Sequence, residues 1–279
     1  MAMKKAAAVL LFLAQTCLIQ ATEVSPWFGQ DLEIEARVKD LYRHSDRIDI
    51  DKDESIAYHA DSNFLNLGAS MAALSVWNIE LEAILASTRV QTFNFDNGRL
   101  TLSHLFLNDN VNDPVSLAAG VTISGVSASA LRDPNSIHHG RWEFYGHASV
   151  GKQWLCKEFW TSRIWGEAGV GIADRGSPWM QAHVEYEKNL CDLQQYGCYL
   201  EARWGFGNHP FPALSSFYGY SNLRYQLYEV GVKYARQFEC IGKLTFEYNY
   251  RFYARNTLEN CHTLALTWMF PVNPLQVAY

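Results

Sequence analysis

Hydrophobic and polar residues alternate with a period of two along most of the chain. From Leu244 to Phe252, the residues Leu244, Phe246, Tyr248, Tyr250 and Phe252 take one parity, and Thr245, Glu247, Asn249 and Arg251 take the other. A helix would mix the two sets, whereas a strand sends them to opposite faces. Met180, Ala182, Val184 and Tyr186 alternate in the same way with Gln181, His183, Glu185 and Glu187. Leu200, Ala202, Trp204 and Phe206 alternate with Glu201 and Arg203. Over the whole length the pattern predicts twelve strands, near 31–43, 63–75, 79–93, 99–107, 115–125, 141–151, 158–173, 179–189, 198–207, 223–235, 243–254 and 261–270. Most match the roughly 9–11 residues that a tilted strand needs to cross a hydrocarbon layer.

Beyond residue 21 no segment approaches the roughly 20 apolar residues of a transmembrane helix. A membrane location therefore requires a closed barrel, which pairs every backbone group internally. The expected fold is all-β, an antiparallel up-and-down transmembrane β-barrel of about 12 strands. A soluble β-sandwich also alternates, but it uses shorter strands with turns roughly every 8–12 residues. Here the strands are long, and tyrosines and tryptophans gather near their ends, as in the aromatic girdles of membrane barrels. With the amino terminus on the inner side, the outward loops are expected at 44–62, 94–98, 126–140, 174–178, 208–222 and 255–260. The inward turns are expected at 76–78, 108–114, 152–157, 190–197 and 236–242. Long loops outside and short turns inside are the asymmetry of outer-membrane barrels.

Composition is compatible with this and does not decide it. Aromatics are 14% of the chain and mean hydropathy is −0.16; a barrel looks soluble because lipid-facing and lumen-facing residues alternate. The start of the chain looks like an address. Lys4 and Lys5 precede an apolar run from Ala6 to Ile19, and Ala21 offers a small residue at a cleavage edge. The expected organisation is a cleaved signal peptide, 1–21, and a single barrel domain, 22–279. Thr16 before Cys17, with no Leu three places earlier, argues against lipidation. Removing Lys4 and Lys5 leaves 21 basic and 29 acidic residues, a net charge of −8. An acidic chain is a poor nucleic-acid binder.

The final strand carries the most specific motif. Thr263, Ala265, Trp268 and Phe270 follow the spacing of polar, small, aromatic and aromatic residues in a barrel-assembly signal. In this the chain resembles Gram-negative outer-membrane β-barrel proteins. The resemblance implies an outer-membrane location reached through the periplasm, recognition by the barrel-assembly machinery, and outer-membrane lipid and lipopolysaccharide as partners. Two features depart from the pattern: Ala265 stands where Gly is usual, and nine residues, 271–279, follow Phe270.

The candidate lumen face collects the ionisable residues. It carries Glu33, Glu35 and Arg37, then Glu80 and Glu82, Glu143, Arg163 and Glu167, Glu185 and Glu187, Glu201 and Arg203, Glu229 and Lys233, and Glu247 and Arg251. His147 and His183 lie beside them. Ionisable groups facing lipid would cost a few kcal/mol each, which favours an inward face. Eleven acids against five bases would favour cations if the lumen conducts; the alternative is a mutually paired network filling a narrow barrel. The first functional expectation is a passive pore or small-solute channel with an acidic lumen and no cofactor. The second is a structural or surface-interaction barrel with cysteine cross-links.

A third expectation is a lipid hydrolase. His147 and Ser149 lie two apart on one strand face, as a base and its nucleophile must. They are similar to the His-x-Ser-Asn pattern of outer-membrane phospholipase and lipid A deacylase barrels, with Val150 in place of the Asn. Other features read as ordinary structure. Asp49, Asp51, Asp53 and Glu54 have oxygen-ligand spacing but lack the Gly and final Glu of a calcium loop. His138-His139 is a weak metal hint. Gly166, Gly169 and Gly171 alternate within a strand, with no following helix to receive a phosphate. Five cysteines remain after residue 21, so at least one thiol is free or pairs with another molecule. Cys191 and Cys198 flank one turn and form the candidate disulfide; Cys156, Cys240 and Cys261 complete the set.

Overall fold

A computed structural model describes residues 24–51, 54–156, 159–190, 193–238 and 241–272. The candidate signal peptide, Asp53, Cys191, Cys240 and the segment 273–279 lie outside the described residues. The strands are β1 (Ile34–Asp51), β2 (Glu54–Ala73), β3 (Trp77–Ser87), β4 (Asn94–Leu107), β5 (Ser116–Val126), β6 (Trp142–Cys156), β7 (Phe159–Ala173), β8 (Trp179–Leu190), β9 (Gln194–Gly205), β10 (Gln226–Phe238), β11 (Gly242–Arg255), the two-residue β12 (Leu258–Glu259) and β13 (His262–Val272).

Every long strand pairs antiparallel with its chain neighbours, and β1 closes the ring by pairing with both β2 and β13. His44 stands opposite Asp61 on one side and His262 on the other. The result is a closed barrel of twelve long strands, with β12 adding a short bridge to β1 at Arg47 and Ile48. Closure leaves no unpaired sheet edge in the wall. No helix among the described residues is long and apolar enough to cross a membrane.

Alternation decides which face each side chain meets. Val38, Leu67, Leu81, Leu100, Val121, Val170, Val184, Leu200, Val232, Phe246 and Leu264 are exposed on the outside, while the intervening positions are buried inside. An apolar surface of this extent would be untenable in water and is what a bilayer requires. The assembly-signal residues divide by the same rule. Thr263 and Ala265 are buried, Ala265 packing with Leu41, Phe64, Ile84 and Ala86. Trp268 is exposed, and its indole N–H donates to the Ile241 carbonyl at 3.0 Å. Glycines on β7 make room for rings: a Cβ at Gly169 would meet the Tyr145 ring at 2.5 Å, and one at Gly171 the Trp179 ring at 2.1 Å.

Three expectations from the sequence are corrected. The loop 44–62 is a strand hairpin: β1 and β2 continue to Asp51 and Glu54. Polar residues such as Asp46, Arg47 and His59 face outward there because the hairpin rises beyond the apolar belt, while Ile48, Tyr58 and Ala60 face the mouth. The loop 94–98 is strand as well. The turn comes earlier, where Thr88 Oγ1 accepts from the amides of Val90 and Gln91 and ends β3. Glu33 lies in a turn before β1, its amide donating to the Gln30 carbonyl. The connections 127–141 and 206–225 share one end of the barrel, and by the loop-length rule that end faces outward. They fold over the outer mouth.

Candidate functional site

The barrel interior has three levels. At the outer mouth, loop 206–225 contributes Phe211, Phe217, Tyr220, Leu223 and Tyr225, which pack with Ile137 of loop 127–141 and with Ile48, Tyr58, Leu227, Leu258 and Cys261 of the wall. Phe211 and Phe217 stack at 5.2 Å, and Tyr220 meets Phe217 edge-on at 5.1 Å. The Tyr220 hydroxyl donates to the Pro134 carbonyl at 2.7 Å, tying the two loops together. This is an apolar plug.

The plug rests on charged groups that its own backbone satisfies. Arg43 donates to the Asn135 carbonyl at 3.1 Å. Arg251 donates to the Leu258 carbonyl at 2.9 Å and holds Glu229 through two contacts, at 2.7 and 2.6 Å. Beside them, His138 Nε2 lies 2.7 Å from Asp96 and its Nδ1 lies 3.5 Å from Glu143. Burial alone would drive the His138 imidazole towards neutrality. The charge and hydrogen bond of Asp96, with those of Glu143, outweigh burial and raise its pKa to about 9. For His139 burial wins and its pKa is lowered despite Glu143. His139 stacks on Trp179 at 3.8 Å and hydrogen-bonds the Tyr225 hydroxyl at 2.9 Å. The pair is a structural brace, and no group of metal-ligating residues occurs among the described residues.

The middle level is narrow and polar. A chamber of about 60 Å³ is lined by Arg99, Thr122, Tyr145, His147, Gln181 and Arg203 beneath the plug. Tyr145 donates to Glu167 at 3.0 Å, Arg203 to Glu201 at 2.6 Å, and Tyr199 to Glu247. His147 and Ser149 sit in this wall, buried and facing inward. Neither ring nitrogen of His147 nor Ser149 Oγ has a hydrogen-bond partner. The structure therefore makes no base–nucleophile bond between them, gives the imidazole no orienting carboxylate, and turns both away from the lipid face.

The inner level is an open vestibule of about 380 Å³. Its wall carries ion pairs: Arg37 with Glu80 and Glu82, Lys39 with Glu247 at 3.1 Å, Lys233 with Glu185 at 2.7 Å, and Arg163 with Glu187. The segment before β1 enters this space. Trp27 donates its indole N–H to Asp109 at 2.9 Å, and the Arg163 guanidinium lies over its ring at 5.1 Å. Four inward bases, Lys39, Arg43, Arg99 and Lys243, stand outside the set drawn from the strand pattern. With them, and with Glu33 removed and the buried Asp96 of β4 added, eleven inward acids face nine bases, so the acid excess is smaller than alternation suggested. Lys39 and Arg43 share the parity of Glu35 and Arg37, which was the available signal.

The remaining candidates are placed as follows. Asp49 accepts from the Asn256 amide at 2.7 Å and is a loop tie; the Asp51 and Asp53 side chains are not among those described. Cys198 lies within β9 rather than at a turn, facing outward and exposed. Its candidate partner Cys191 is outside the described residues. Cys156 is exposed at the inner end of β6, and Cys261 is buried in the plug cluster.

A closed antiparallel barrel with an apolar belt, a charged interior and its long loops at one end is an outer-membrane β-barrel. Among solved structures it is similar to an outer-membrane channel from Pseudomonas putida F1, with a TM-score of 0.65 and 11% identity, covering 90% of this chain and 100% of that one. It is also similar to the NanC porin, with a TM-score of 0.53 and 10% identity, covering 84% and 98%. At these identities the likeness is one of fold. No protein-family model and no curated protein matches the sequence.

Proposed function

We propose that the barrel is a passive small-solute channel whose outer mouth is gated by its own loops. The observation that carries this is the inner vestibule of about 380 Å³, open to the inner side and followed by a polar interior up to the plug. A barrel serving only as a scaffold has no need to keep charged strand positions around open space. The fold likeness to a channel and a porin supports the same reading. Because bases nearly offset acids along the wall, cation preference is slight. Solute flux into liposomes carrying the full chain tests the proposal, using small sugars and amino acids with wild type and Tyr220→Ala. Slow flux in wild type and faster, size-limited flux in the variant is the expected outcome. No flux through either protein, both being folded barrels, would overturn it.

A second reading, a structural barrel cross-linked through cysteines, draws on the exposed Cys156 at the inner end of β6. Non-reducing gels of native envelopes test it. Migration as a monomer alone would end it.

A further inference from the structure

The geometry points to a binding site for a small zwitterion, of the α-amino-acid class, in the inner vestibule. This deepens the channel reading by naming its solute class and rests on that reading for the route the solute takes.

Subtracting the ion pairs from the vestibule wall leaves one cation and one anion uncommitted. Arg37, Lys39, Arg163 and Lys233 are all engaged by carboxylates. Lys243, which lines the cavity from β11, makes no hydrogen bond or close ion pair among the described residues, and neither does Glu35 on β1, one strand away beyond β13. The two attract each other, and Lys243 is also attracted by Glu187, only at longer range. The Glu35 carboxyl lies against Gly29 of the amino-terminal segment, where a Cβ would stand 3.1 Å from it, so a larger residue there would crowd the group.

Neutral groups complete the lining. Trp165, which lines the cavity, is 4% exposed, and its indole N–H has no acceptor. Ser103 Oγ, 1% exposed, has no partner, and Asn66 gives its amide N–H to Glu82 at 2.8 Å while its oxygen is unused. Buried polar groups are ordinarily hydrogen-bonded, so uncommitted ones lining a cavity mark positions a polar ligand can satisfy. The free donors, Lys243 and Trp165, suit a carboxylate. The free acceptors, Glu35, Ser103 and the Asn66 oxygen, suit an ammonium and its neighbours. A singly charged solute would satisfy one set and leave the other unmet, whereas a zwitterion satisfies both. The cavity volume lies in the range of small-molecule sites, roughly 300–1,000 Å³.

The test is calorimetric titration of the refolded full chain in detergent with L-alanine, N-acetyl-L-alanine, which lacks the ammonium, and L-alaninamide, which lacks the carboxylate. Alanine should bind roughly tenfold or more tightly than either, the effect of one charge-assisted hydrogen bond. Lys243→Gln should weaken alanine and N-acetyl-alanine and spare alaninamide. Glu35→Gln should weaken alanine and alaninamide and spare N-acetyl-alanine, and Lys243→Arg should retain alanine binding. Equal or undetectable binding of the three probes, or variants that do not split them, would overturn the inference. Because binding in detergent reads no flux, binding without flux would count against the channel alone. Flux without binding would count against the zwitterion site alone.

Discussion

At the outer mouth, Phe211, Phe217, Tyr220 and Leu223 press against Ile48, Leu227 and Leu258, while at the inner end Arg163, Glu187, Lys233 and Glu185 surround open space. The first region is built mainly from loops and the second mainly from strands. Loops can leave the mouth without breaking a rung of the barrel ladder. The vestibule charges, in contrast, sit on strands whose hydrogen bonds hold the wall, so their positions are fixed. On the channel reading proposed above, mobility falls to the apolar end and recognition to the charged end.

The largest effect is expected where the two regions meet. Arg251 is buried, pairs with Glu229 and caps the Leu258 carbonyl. Arg251→Met removes the direct ion-pair partner of Glu229 beneath an apolar plug, leaving it the Asn249 amide at 3.3 Å and the more distant Arg43 and Arg203. Breaking such a pair costs about 3–5 kcal/mol. The melting temperature of the refolded barrel should fall clearly, and the double variant Arg251→Met with Glu229→Gln should recover much of the loss. A single variant as stable as wild type would break the claim that the plug seals this layer.

Tyr220→Ala should act on the mouth and leave the vestibule alone. Truncating a buried aromatic costs about 3–5 kcal/mol, here drawn from loop packing. Bilayer conductance should rise while vestibule binding stays constant. A rise in neither conductance nor loop proteolysis would show that the plug does not depend on this ring.

A pH scan should also separate the ends. His138 has a folded pKa of about 9, above its ordinary value. Its contribution to holding the plug is therefore complete below about pH 6.5 and is lost as pH rises through about 9. The groups facing it are Asp96 from β4, Glu143 from β6 and the neighbouring His139. Hydrogen exchange of loops 127–141 and 206–225 should quicken over that window, and His138→Asn should flatten the response. The smallest effect is expected for Trp27→Ala, which removes a cation–π contact worth about 1 kcal/mol and one hydrogen bond. The amino-terminal segment should become protease-sensitive with no change at the mouth.

The wall of the barrel was legible because a period of two maps directly onto inside and outside. Glu80 and Glu82, or Glu185 and Glu187, need only that rule to share a face. Lys39 and Arg43 escaped it because Asp40 places a charge on the opposite parity of the same strand and blurs the pattern. Lys243 lies inside the expected strand 243–254 and shares the parity of Glu247 and Arg251, so its inward face follows from the same rule. The plug was not legible at all. Loops 127–141 and 206–225 have no periodicity, and their burial comes from tertiary packing against a hairpin that the sequence presented as a loop. For His147 and Ser149, alternation gives a shared face but not a hydrogen bond, and the structure makes none.

Hydroxyl-radical footprinting of the folded barrel in lipid tests the central contrast most directly, since it reads water access side chain by side chain. Trp27 and Met269, which line the vestibule, should oxidise rapidly, while Phe217, Tyr220 and Tyr225 of the plug should be protected until the barrel is unfolded. Equal oxidation of the two sets, or protection of the vestibule with exposure of the mouth, would contradict the account.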